Sequence, residues 1–207
     1  MTLARLSEAL GLGANPEAVL AAVRRVYDEV DAQVAARTKG VELPCKPGCD
    51  ACCHESVFVS APEWLLVAAQ LLDEHPAEGR RSIVEEMRVL ADRFEDELEL
   101  LETIPPGAER DEVAARVKFR CPLLTNSGQC SVYASRELNG RTFGQAWQGK
   151  RGHPFGCELT HERLRVLPDV RLFDAVEARR KLAAAFPAID FVHVFPWWFD
   201  RYGDYLL

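Results

Sequence analysis

The sequence predicts a mainly α-helical fold, a helical domain wrapped around a cysteine-rich metal site with irregular loops. Three observations predict it. Apolar residues recur at helical spacing in several segments that open on capping residues. Four of the seven cysteines fall in one short loop, Cys45, Cys49, Cys52 and Cys53. The capped helices that follow can return the chain, so a second block holding Cys121 and Cys130 meets the first.

Taken in order, residues 2–12 form a short helix stopped by Gly11 and Gly13. Asn15 and Pro16 supply an N-cap and a first-turn proline for a long helix. Val19, Val23, Val26, Val30 and Val34 give that helix its apolar face to about Thr38, with Gly40 beyond its end. The cysteine loop follows, then an extended stretch over residues 56–60. Ser60-Ala61-Pro62-Glu63 has the form of a capping box, and Trp64, Leu65, Val67, Ala68, Leu71 and Leu72 line the helix it opens. Pro76 ends it. The next helix is expected to begin at Ser82-x-x-Glu85 and to run unbroken along Ile83, Met87, Leu90, Phe94, Leu98 and Leu101. Pro105-Pro106-Gly107 is the clearest break in the chain, and a short acidic helix over 109–117 comes after it. A turn at Asn126-Ser127-Gly128 separates Cys121 from Cys130. One helical turn over 135–138 leads to Asn139-Gly140, a strong turn dipeptide. Residues 149–157 read as a loop, and Asp174 caps a helix ending near Ala185. The aromatic tail over 191–199 packs back over the core or the metal site, or else offers a protein partner an exposed patch.

Composition bounds the function. At 207 residues and 48% hydrophobic the chain can bury a proper core, and its length favours one domain over 1–207. A formal charge of −7 argues against a nucleic-acid-binding surface, which needs a basic patch. No run approaches the ~18 apolar residues of a membrane span. The first residues lead into an amphipathic segment rather than an apolar export signal, so a soluble, cytoplasmic protein is expected. In a reducing compartment cysteines stay reduced, and an odd number of them leaves one over from any set of disulfides. Thiolates are soft ligands that suit zinc, Cu(I) or iron–sulfur clusters. The expected ligands are Cys45, Cys49, Cys52, Cys53, Cys121, Cys130 and Cys157. Pro47 and Gly48 let the short loop turn its sulfurs inward. One closed zinc site needs four ligands, so seven sulfurs favour a cluster or two metals. An iron–sulfur cluster or iron is the preferred cofactor and zinc the alternative.

Two blocks carry a resemblance. Cys45 to Cys53 precedes the helix opened at Ser60-Ala61-Pro62-Glu63, and the second block reads Cys121-Pro122-Leu123-Leu124, then Gly128-x-Cys130-Ser131-Val132-Tyr133 and Arg136. Over residues 41–160, with flanking helices at 1–40 and 161–207, the chain resembles the CxxCxxCC (YkgJ-like) cysteine-cluster family of zinc- or iron-chelating proteins. The resemblance implies a metal or iron–sulfur site, with electron transfer, sensing or metal handling as its use. A zinc-stabilised binding module, whose metal supplies folding energy, is the second reading; a domain of this type is also similar to one in flagellin lysine methylase, which implies a metal-dependent enzyme as the third. After Arg136 the family pattern usually reads Pro-x-x-Cys-Arg; here Glu137 to Arg141 places Gly140 where the cysteine is expected. That coordination position is therefore open, or filled by His153 or His54.

Overall fold

The computed structural model describes residues 3–45, 48–148, 153–154, 157–164, 166, 172–188 and 191–207. Helix α1 (Leu3–Ala9) packs on the third helix, and α2 (Pro16–Thr38) follows. The Asn15 side chain accepts a hydrogen bond from the Ala18 amide at 3.2 Å, which satisfies one of the free donors of the first turn. Val19, Val23, Val26, Val30 and Val34 are buried along one face. Strand β1 (Phe58–Ser60) runs into α3 (Ala61–Glu74), whose Ser60/Glu63 capping box is formed as expected. Then come α4 (Ala77–Arg93), α5 (Glu95–Thr103), α6 (Ala108–Ala114) and α7 (Leu138–Thr142). Two short strands, β2 (Ala146–Gln148) and β3 (His153–Pro154), lead to α8 (Glu158–Leu164). The chain closes with β4 (Phe173–Asp174), α9 (Ala175–Ala185), β5 (Val192–Val194) and α10 (Phe195–Tyr202). The architecture is mainly α, and among the described residues no helix is long and apolar enough to cross a membrane.

α2 packs against α3 and α9, and α10 lies along α4. Between them sits the main core, centred on Trp64, which stacks on Trp198 at 6.3 Å and meets Phe199 edge-on at 4.6 Å. The aromatic tail is thus spent mostly on the core: Phe195, Trp198 and Phe199 are buried. β5 pairs antiparallel with β1, Phe58 opposite Val194, and the Trp198 indole N–H donates to the Val59 and His193 carbonyls. β2 pairs with β3 antiparallel and with β4 in parallel. Asp174 caps α9 by accepting from the Val176 amide, as its position predicts.

Two expectations are corrected. The expected long helix over residues 82–101 begins five residues earlier and breaks at Phe94. The Pro76 carbonyl accepts from the Arg80 amide and opens α4, while the Ser82 hydroxyl turns to Glu86 on the exposed face. The stripe splits because it serves two cores. Ile83, Val84 and Met87 join the main one, whereas Leu98 and Leu101 join a second with Val113, Val117 and Val194. Asn139-Gly140, expected as a turn, lies inside α7, because the Glu137 carboxylate caps that helix by accepting from the Gly140 amide.

His193 shows what burial does to a titratable group. It is fully buried, its Nδ1 accepts from the Val194 amide at 3.0 Å, and its Nε2–H is left to donate to the Leu98 carbonyl at 3.2 Å. Burial, aided by the nearby charge of Arg110, lowers its pKa to about 4; Glu102 and Arg201 are the other charges that act on it. The unfolded chain takes up this proton near pH 6.5 and the folded chain only near 4. Stability is therefore full above pH 6.5 and falls as the pH drops towards 4, by about 3 kcal/mol. His193→Gln is expected to flatten that slope in urea denaturation curves recorded at pH 7.5 and 5.

Candidate metal centre

The first cysteine block leaves α2 past Gly40, which adopts φ 77°, and turns through Gly48 at φ 90°, a backbone region that glycine enters without penalty. A 3-10 turn over Ala51–His54 follows, closed by the Cys53 amide on the Asp50 carbonyl at 2.8 Å. The second block is a small hairpin. Leu124 and Cys130 form an antiparallel bridge, and the Ser131 amide donates to the Leu123 carbonyl at 2.8 Å. Thr125 ties the turn across to Gln129, and Gly128 takes φ 77°. One hydrogen bond clamps the blocks together: the Cys121 amide donates to the Cys53 carbonyl at 2.8 Å. The two cysteine blocks therefore meet, as the returning helices predict.

All seven thiols border two adjoining cavities. The inner one, about 30 Å³, is lined by Cys52, Cys53, Cys121 and Cys130, with Arg136, Glu137, Gly140 and Phe195. The outer one, about 220 Å³, is lined by Cys45, Cys49, Cys52, Cys53, Cys130 and Cys157, with Tyr133 and Arg136. A water needs roughly 10–15 Å³ by the same kind of measure, so the inner cavity suits a single ion and the outer one something larger. Cys52 and Cys53, which as sequence neighbours are expected to diverge, border both cavities.

The sulfurs differ electrostatically. Cys52 is driven down, chiefly by a hydrogen bond from the Cys53 thiol and with help from the Arg136 guanidinium against its burial; Cys53 is driven up by the same bond. Burial pushes Cys121 up to about 12 and raises Cys130 and Cys45. The Cys45 sulfur accepts from the Gln145 amide group at 3.3 Å. Burial alone would lower Arg136; the negative charges of Cys52 and Glu137 outweigh it and leave this guanidinium raised. It stacks over the Tyr133 ring at 4.6 Å, and among the described residues its Nε has no hydrogen-bond partner. Glu137 is pushed up to about 8 by burial and by Glu63.

Among the described residues no three His, Cys, Asp or Glu side chains stand close enough to hold one ion. Ligation by these thiols requires their deprotonation, so metal binding releases protons. The donor set itself fits zinc, iron or an iron–sulfur cluster, all of which take thiolates.

The expected replacement ligands fare differently. His54 faces solvent and pairs with Asp50 at 3.3 Å, outside both cavities. The His153 side chain lies outside the described residues. Gly140 does line the inner cavity, yet the space beside it is not open: a Cβ there would overlap Glu137 Oε1 and meet Arg136 Cγ at 3.0 Å. Gly140→Cys would thus drive Glu137 from its cap rather than fill a vacant position.

Sequence reasoning missed Arg136 and Glu137 as parts of the site; their signal is a charged pair directly after the second cysteine block. It also missed Gly144. That residue adopts φ 74° against Cys157, and an added Cβ would stand 3.0 Å from Cys157 Cβ and from Thr160 Oγ1. Thr160 fixes the approach by donating to the Gly144 carbonyl at 2.8 Å. Gly144→Ala is expected to cost about 1–2 kcal/mol from the backbone alone, and to displace Cys157. A rise in the alkylation rate of this otherwise buried thiol, alongside a lower denaturation midpoint, checks it.

A mainly helical scaffold that gathers seven free thiols from three segments around paired cavities defines a cysteine-cluster protein. The family model of the CxxCxxCC domain, described as a putative zinc- or iron-chelating domain, matches residues 44–158, and the chain belongs to this family. No curated protein and no solved structure matches the chain.

Proposed function

We propose that the chain holds iron through its seven thiols, with an iron–sulfur cluster as the preferred form, and serves electron transfer, sensing or metal handling in the cytoplasm. The observation that carries this reading is the outer cavity: six of the seven thiols border a space of about 220 Å³, larger than one tetrahedral ion requires. Arg136 supports it, because a guanidinium beside Cys52 offsets the negative charge that clustered thiolates accumulate. The whole chain, 1–207, acts as one domain in this reading: α2, α9 and α10 from the flanks build the core on which the family-matched segment rests.

One observation favours a second reading. The inner cavity is ion-sized and bordered by four thiols, the count of a closed structural zinc site. Anaerobic purification with an absorbance spectrum and elemental analysis separates the two. Iron with acid-labile sulfide and broad visible absorbance supports the cluster. Zinc without colour supports the second reading, and a chain that purifies and reconstitutes with neither metal sinks both.

A further inference from the structure

We propose that Arg136 donates its Nε–H to a sulfur of the bound metal centre and that Arg141 holds it in place to do so; the inference deepens the metal-binding reading and rests on it. Arg136 borders both cavities, as do Cys52, Cys53 and Cys130. Its Nε is buried and, among the described residues, has no hydrogen-bond partner. No ion pair of the described residues includes Arg136. A buried donor on a charged group is costly when left unpaired. Metal-bound thiolates, or the sulfides of a cluster, supply the acceptor that removes this cost. Hydrogen bonds to such sulfurs tune the centre they belong to.

Arg136 is fixed along its stem, its ring-facing side and its backbone. The stem passes Gly140, where a Cβ would stand 3.0 Å from Arg136 Cγ and 3.1 Å from Cδ, so a residue without a side chain leaves the path open. The Tyr133 ring covers the guanidinium at 4.6 Å. Arg141 ties down the backbone: its Nε donates to the Arg136 carbonyl at 2.7 Å and one terminal nitrogen to the Ala134 carbonyl. Its other terminal nitrogen reaches Asp31 at 2.5 Å, and its guanidinium lies over the Tyr27 ring at 4.3 Å. Between those two carbonyls, Gln70 Oε1 accepts from the Ser135 amide at 3.0 Å and the Ser135 hydroxyl at 2.6 Å. Arg141 borders neither cavity, so it acts on the centre through the segment it holds and is a positioning residue.

A cation offsets thiolate charge wherever it stands nearby, so the test must separate charge from a directed N–H. Arg136→Lys does so, because it keeps the charge and loses the Nε donor. The probe is Co(II), whose sulfur-to-metal charge-transfer band reports thiolate ligation whichever metal is native. Arg136→Lys is expected to keep its helical circular dichroism, to move that band to longer wavelength, and to lose Co(II) to a chelator at least about tenfold faster than the wild type. Arg141→Lys is expected to cause a smaller change of the same sign. Arg136→Lys with Arg141→Lys should lose Co(II) no faster than Arg136→Lys alone, since both act through one donor. A wild-type band and retention in Arg136→Lys, or additive losses in the double variant, overturn the inference. Should Arg136→Lys fail to fold, the wild type labelled with 15N-arginine decides. Loading with Zn(II) is expected to slow solvent exchange of the Arg136 Nε–H at least about tenfold, and an unchanged rate overturns the inference. A wild type without any charge-transfer band would instead overturn the metal-binding reading, and this inference with it.

Discussion

Cys52→Ser, Cys53→Ser and Cys130→Ser are each expected to remove metal from both cavities, whereas Cys121→Ser empties the inner cavity alone and Cys45→Ser, Cys49→Ser or Cys157→Ser the outer one alone. The division follows from which walls the thiols share. Cys52, Cys53 and Cys130 border both spaces, Cys121 only the inner, and Cys45, Cys49 and Cys157 only the outer. A hydroxyl is a poor replacement for a thiolate towards a soft metal, so each change acts as loss of a ligand. Apparent binding energies of about 10–16 kcal/mol for structural zinc show why these are the largest effects available to single substitutions here. The measurement is metal per chain after anaerobic reconstitution and exhaustive dialysis, with thermal midpoints recorded in parallel. Full metal content in Cys121→Ser, or equal losses in all seven variants, would count against two adjoining sites with shared walls.

The helical scaffold was legible because its signals are local. Asn15-Pro16, the Ser60/Glu63 capping box and Asp174 each satisfy free donors within their own helix, and each is found where the sequence places it. The convergence of the cysteine blocks was legible for a similar reason: helices that end on prolines return the chain. What escaped was whatever depends on distant partners. The stripe along α4 and α5 has one period in sequence, but Phe94 interrupts it because the two halves serve different cores. Asn139-Gly140 has the composition of a turn, yet Glu137 reaches forward to cap it into a helix. His54 adjoins the cluster in sequence and still turns outward to Asp50, since the 3-10 turn carries Cys52 and Cys53 to the cavity walls and leaves His54 on the outer side. A charged pair, Arg136-Glu137, ordinarily marks a solvated surface. Only its place at the start of α7, where Glu137 caps the helix, makes it a wall of the site.

Glu63→Ala is expected to destabilise the fold by about 4 kcal/mol and to speed metal loss without touching a thiol. Glu63 is buried, and four donors converge on its carboxylate. Oε2 accepts from the Ser60 amide at 3.0 Å and the Ser60 hydroxyl at 2.7 Å, which forms the cap of α3. Oε1 accepts from the Tyr27 hydroxyl at 3.1 Å and the Leu138 amide at 2.8 Å. One side chain thereby joins α2, the start of α3 and the start of α7. Burial and the Glu63 charge both raise the Tyr27 pKa, so its phenol stays protonated and remains the donor. Truncation loses the cap, worth about 1 kcal/mol, and strands the Tyr27 hydroxyl and the Leu138 amide, each about 1–3 kcal/mol when buried without a partner. Glu63→Gln is expected to fall roughly midway, because its amide nitrogen then faces donors at one of the two oxygen positions. Tyr27→Phe removes one donor together with its share of the bond and is expected to cost only about 1 kcal/mol. Urea denaturation in the presence of a chelator measures these costs apart from metal binding. The rate of metal release from the loaded protein then reads how far a shift of α7 reaches Arg136 and Glu137. A loss below about 1 kcal/mol for Glu63→Ala would mean that water or a rearranged loop replaces the carboxylate, and that the cavity walls do not depend on this joint.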